Sequence, residues 1–193
     1  MCSSDLGTAS RLAGLAAGDY TVGVFVQANF GARRELVLAG VPVGEALAAD
    51  NPMAEFRLAP PGSGSVIAVV ATDAPLFPHQ CQAFARRVTS GLARTGTSGS
   101  HFSGDLFLAF SVGNPAAITP GGALLAGEPV PRYNQLRFIP WGCLDPFYAA
   151  VAQATEESVA NALTANEAMT GRDGHYSPAL PRDRVAAMFR AGR

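Results

Sequence analysis

The chain has 193 residues, 14 Lys and Arg against 15 Asp and Glu for a formal charge of -1, and 48% hydrophobic residues with 21 Gly and 14 Pro. That balance specifies one well-cored, loop-rich globular domain. It excludes a disordered chain and a broad field for recruiting nucleic acid or an anionic membrane, which leaves a small molecule or another protein as partner. The longest apolar stretches, residues 66–71 and 106–110, fall far short of the ~20 residues that span a bilayer. Three cysteines, Cys2, Cys81 and Cys143, form no close pair and leave one over, which fits a reducing, cytoplasmic compartment with Cys81 and Cys143 as buried free thiols. His79, His101 and His175 are too widely spaced for a metal motif, so neither a metal nor a cofactor is expected.

Residues 1–6 have neither the basic start nor the apolar stretch of a signal peptide. They read as a non-native leader, with the natural protein beginning further upstream and a single domain over residues 7–193. Residues 20–28 alternate Thr21, Gly23, Phe25 and Gln27 with Val22, Val24, Val26 and Ala28, a strand that stops at Asn29-Phe30-Gly31. Residues 35–39 form a second β-prone run closed by Gly40 and Pro42, so residues 20–40 are expected to be a hairpin. A Pro- and Gly-rich connection over residues 43–64 leads into the almost continuously apolar run from Ser65 to Ala71, expected to be a central strand covered on both faces.

Pro78 sits where a helix can start, and residues 80–93 place Cys81, Phe84, Ala85, Val88 and Leu92 at helical spacing, with Arg86, Arg87 and Arg94 toward the end. A Gly-Ser-Thr loop precedes another β-rich run over residues 105–111, and residues 113–131 are loop. Asp145-Pro146 opens a long helical pattern to Met169, and residues 182–190 form a short terminal helix. Strands and helices in alternating groups indicate a layered α/β or α+β domain.

Chemistry gathers at two loop-to-strand junctions. Ser65 follows Pro61-Gly62-Ser63-Gly64. Cleavage before it would leave a hydroxyl and a free α-amine on one residue, and that amine, with an unperturbed pKa of about 7.7 to 8.0, can take the hydroxyl proton. Ser103 and Asp105 lead into the strand after them and lie two apart, so they share a face. Beside Ser65, the carboxylate could hold the terminal ammonium and the second hydroxyl could relay its proton. Asn29, where the first strand gives out, could aim its amide at a developing oxyanion. Taken singly, Ser65 is also an ordinary strand start, Ser103 and Asn29 ordinary turn residues, and Asp105 a solvated acid.

The string Gly64-Ser65-Val66-Ile67-Ala68-Val69-Val70-Ala71-Thr72-Asp73-Ala74-Pro75-Leu76 closely resembles the start of the mature small subunit in the DmpA-like family of self-processing L-aminopeptidase/D-esterases and β-peptidyl aminopeptidases. The resemblance continues through residues 91–96, 103–111, 169–175 and, upstream, 20–31. It implies an αββα sandwich of the N-terminal-nucleophile type shared with ornithine acetyltransferases, present only in part, with residues 7–64 ending the large-subunit segment and residues 65–193 forming the small one.

The resemblance further implies that Ser65 cuts the Gly64-Ser65 bond and then attacks short peptides, amino-acid amides or esters. Ser103 and Asp105 would be the supporting hydroxyl and carboxylate, and Asn29 the oxyanion donor. Some members carry Glu where this chain has Asp105. It also implies a homo-oligomer of processed subunit pairs. His175 is not assigned as a base, because an N-terminal nucleophile needs no histidine. The rival readings are a non-catalytic fragment and an ornithine-acetyltransferase-like acyl transferase, the latter wanting Thr at position 65.

Overall fold

The computed structural model describes residues 5–16, 18–49, 64–115, 117, 135–174 and 176–191. A four-stranded sheet runs in the order β1 (Asp5–Leu15), β2 (Gly18–Asn29), β3 (Ser65–Thr72) and β4 (Leu106–Ser111). Strands β1, β2 and β3 pair antiparallel in turn, whereas β4 lies parallel to β3 after a crossover through helix α2 (Pro78–Arg94). A second long helix, α3 (Asp145–Ala165), packs beside α2 and across β1 and β2. The chain also has a one-turn helix α1 (Val43–Ala46), a two-stranded ribbon of β5 (Met169–Thr170) with β6 (Tyr176–Ser177), and a terminal helix α4 (Arg182–Ala191).

The alternation read along residues 20–28 sets the core. Val22, Val24, Val26 and Ala28 point to the helices and are buried, as are Val66, Ala68 and Val70 of β3. They meet Phe84 and Val88 of α2 and Phe147, Val151 and Ala154 of α3, all fully buried. Each buried Val or Phe contributes roughly 1.5–3 kcal/mol when removed from water, and this holds the helices to the sheet. The start of α2 is fixed by Gln80, also fully buried. Its side-chain carbonyl accepts the Phe77 N–H at 2.9 Å, and its amide donates to the Ile139 carbonyl at 2.7 Å.

Four expectations are corrected. Residues 20–40 are not a hairpin: β2 pairs instead with β1, from Asp5 opposite Ala28 to Leu15 opposite Gly18. Arg33–Glu35 is a 3₁₀ turn, and the run after it makes one bridge, Leu38 with Val41, around Ala39 and Gly40, both at positive φ. Its backbone is satisfied elsewhere, with Val37 N–H on the Thr95 carbonyl at 2.9 Å and Gly44 N–H on the Leu36 carbonyl at 2.8 Å.

Among the described residues, the internal strand β3 is covered on one face rather than two, and Ile67 is 42% exposed. The described residues supply helices to a single side of the sheet. Of the two thiols, Cys81 is half-buried and Cys143 exposed. Burial raises the Cys81 thiol pKa above its ordinary value, an effect that a backbone hydrogen bond partly offsets. Helix α3 stops at Ala165, short of Met169, and Arg182 donates to the Asn166 carbonyl at its end, at 2.6 Å. Among the described residues no helix is long and apolar enough to cross a membrane.

Candidate active site

Ser65 is the first residue of β3, and its antiparallel partner is Asn29, the last residue of β2. Directly opposed residues place their side chains on one face within about 4.5–5.5 Å between Cβ atoms. That face is the one turned away from the helices, shared with Phe25, Gln27, Ile67 and Val69, none of which is buried. On the other flank, the parallel register of β3 and β4 continues one step beyond the strands into a bridge between Gly64 and Ser103. All four sequence-predicted residues, Asn29, Ser65, Ser103 and Asp105, thus meet at one end of the sheet.

The polar contacts there are specific. Ser103 Oγ donates to Asp105 Oδ1 at 2.5 Å, and the same oxygen accepts the backbone N–H of Val66 at 3.0 Å. The carboxylate therefore sits at the Ser65-Val66 peptide, one residue from where a new terminal amine would appear. The shorter Asp arm reaches far enough for this contact. Ser65 Oγ accepts the backbone N–H of Gly104 at 2.9 Å. Sequence reasoning named Ser103 and Asp105 but missed the N–H between them. Nothing in the sequence marks that N–H: a Cβ on Gly104 would lie in ordinary contact, 3.5 Å from Ser65 Oγ.

Gly64 is the second constrained glycine. Its φ is +150°, and an L-Cβ there would stand 2.5 Å from the Asn29 carbonyl oxygen and 3.3 Å from Phe30 Cα. The residue before Ser65 is thus held between the backbones of Ser103 and Asn29.

A hydroxyl on a fixed strand end, a second hydroxyl bonded to a carboxylate, and an amide across the ladder make up the parts of an acyl-transfer site. Residues 4–177 match the model of peptidase family S58. The chain belongs to that family. In S58 terms it is 39% identical to the beta-peptidyl aminopeptidase BapA of Sphingosinicella microcystinivorans, with 97% of this chain covering 47% of that protein. It is 36% identical to the BapA of Sphingosinicella xenopeptidilytica, with 96% covering 46%.

Among solved structures, 99% of the chain superposes on 49% of the L-aminopeptidase D-Ala-esterase/amidase of Ochrobactrum anthropi, described as a variant of the Ntn hydrolase fold, with a TM-score of 0.84 at 34% identity. A Burkholderia beta-aminopeptidase matches with a TM-score of 0.78 at 36% identity, 97% of the chain covering 49% of it. The S58 chain described here therefore spans about half the length of the relatives it matches, and the α/β fold expected from the sequence is that of an Ntn hydrolase. His175 lies outside the described residues.

Proposed function

We propose that this chain carries the nucleophile of a self-processing serine aminopeptidase acting on short peptides, amino-acid amides or esters. The observation that carries the reading is the convergence of Asn29, Gly64, Ser65, Ser103 and Asp105 at one sheet end. In the uncut chain the nitrogen of Ser65 is a peptide nitrogen and cannot act as base. The Ser103–Asp105 pair, joined by a 2.5 Å hydrogen bond, is then the proton acceptor for the first step.

Ser65 Oγ adds to the Gly64 carbonyl carbon, the C–N bond breaks with the proton passing to the leaving nitrogen, and an ester forms. Water hydrolyses it, returning the proton to Oγ and leaving Gly64 as a carboxylate. The freed Ser65 amine becomes the base for later turnovers, its ammonium form held by Asp105. The Asn29 amide stabilises the oxyanion in both reactions. No cofactor takes part in this scheme.

The names of the relatives divide between β-peptidyl and L-α or D-alanyl substrates, so likeness alone does not choose the acyl group. The reading includes a homo-oligomer of processed pairs and a cytoplasmic location, the latter supported by the unpaired Cys81 and Cys143.

The test is intact mass of the protein expressed from its complete reading frame, beside Ser65→Ala. Wild type is expected to split between Gly64 and Ser65 while the variant stays whole. Two folded, uncut proteins would overturn the proposal.

A further inference from the structure

A second concavity lies on the helix side of the sheet, behind the strand end that carries Asn29. Ala28, from the helix-facing row of β2, and Phe30 line a cleft of about 790 Å³, counted out to its open mouth, where α2 and α3 end against residues 178–180. Asn29 stands between them in sequence but pairs with Ser65, whose side chain is on the other face. The sheet itself therefore separates the cleft from the Ser65 site. The floor is apolar: Leu47, Val159, Ala162 and Leu163 are buried there, and Phe30 and Leu180 are partly so. Volume and lining are those of a small-molecule site.

The polar groups of the cleft fall into two sets. The deeper ones already have partners: Thr95 Oγ1 donates to the Leu92 carbonyl at 2.7 Å, and the Asn166 amide donates to the Asp5 carboxylate. The other set comes from the 3₁₀ turn Arg33–Glu35. Arg33 is half-buried, and its guanidinium makes no hydrogen bond or ion pair among the described residues. Glu35, also half-buried, accepts the Ala32 N–H at 3.4 Å and nothing else there. Charges withdrawn from water are costly until they are paired. A simple carboxylic acid would pair Arg33 but bring a third negative charge beside Asp5 and Glu35, whereas a simple amine would leave Arg33 without a partner. A ligand carrying both charges satisfies both groups. We infer that this cleft binds an apolar α-amino acid as its zwitterion, with the carboxylate on Arg33, the ammonium on Glu35 and the hydrocarbon side chain on the floor.

The experiment uses Ser65→Ala protein from the complete reading frame, in which the peptide after Gly64 stays in place and nothing is turned over. Isothermal titration calorimetry compares L-leucine with L-leucinamide, which lacks the carboxylate, 4-methylpentanoate, which lacks the ammonium, and glycine, which lacks the hydrocarbon. Each lost charge-assisted contact, or the lost apolar side chain, weakens binding by about tenfold or more. L-Leucine is therefore expected to lead all three by at least that factor. Adding Arg33→Met is expected to bring L-leucine down to the level of L-leucinamide, and adding Glu35→Gln to that of 4-methylpentanoate, with far-UV circular dichroism unchanged. No saturable binding of L-leucine, or a smaller lead over any of the three, overturns the inference, and so does undiminished binding by a folded Arg33→Met protein. The comparison of probes needs no substitution in the cleft, so it decides the matter even if such a variant fails to fold. Either result leaves the aminopeptidase reading untouched, because that reading is judged by cleavage before Ser65.

Discussion

At the scale of single residues, the site combines side chains and backbone. In the proposed scheme Asn29 acts through its side chain, which can be removed without disturbing the ladder. Asn29→Ala in the processed enzyme is expected to lower kcat by roughly 10²–10³-fold, the cost of one oxyanion donor, with little change in KM; steady-state kinetics checks this. Asp105→Asn keeps an oxygen that can accept both the Val66 N–H and the Ser103 hydroxyl but loses the charge, and with it the basicity the proposed first step needs. Self-cleavage of that variant is expected to slow by about 10² or more, read as the uncut fraction over time by mass spectrometry.

Gly64→Ala forces a β-carbon against the Asn29 carbonyl at positive φ. It is expected to fold yet retain the uncut chain, because the strain falls on a loop residue rather than on the core. The side-chain members of this site were legible in the sequence, since hydroxyl and acid stand two apart before a strand and Asn ends another. The Gly104 N–H and the wall at Gly64 were not, because a backbone group aimed across a sheet has no residue type to announce it.

At the scale of elements, strands with bulky alternation were legible and one built on small residues was not. The helix-facing positions of β1 include Gly7, Ala9 and Ala13, and this absence of β-branched bulk is why no strand was expected there. The reason for small residues is α3: a Cβ on Gly7 would meet the Ser158 carbonyl oxygen at 1.9 Å and the Ala162 nitrogen at 2.8 Å. Ser158 Oγ also donates across to the Val24 carbonyl at 3.1 Å. Gly7→Ala is accordingly expected to cost about 1–3 kcal/mol by overpacking, seen as a lower urea midpoint. The run after Arg34 was misread as a strand because its Leu-Val-Leu composition is β-prone. Its partner is the loop after α2, where a Cβ on Gly96 would lie 1.7 Å from the Glu35 carbonyl oxygen, so contact with a helix end overrides local propensity.

At the scale of the whole molecule, the described residues pack helices on one side of the sheet and leave apolar side chains exposed on the other. That exposed face carries Leu12, Leu106, Leu108 and Phe110, with Leu106 65% and Leu108 58% exposed, and Ser65 stands at its end. Contiguous apolar surface of this kind drives association. Residues 1–193 alone are expected to bind an apolar fluorescent dye and to self-associate in light scattering, and Leu106→Glu with Leu108→Lys to reduce both without altering far-UV circular dichroism.

Composition, periodicity and motif order by themselves determined the layered α/β class, strands β2, β3 and β4, both long helices and the candidate side chains that converge at one sheet end, because each is written in local spacing. Tertiary structure alone decided that β2 pairs with β1, that the run after Arg34 docks on the end of α2, and that Gly64 is walled by Asn29. Those facts depend on which distant segments meet, and a register across two strands leaves no trace in the order of residues along either one.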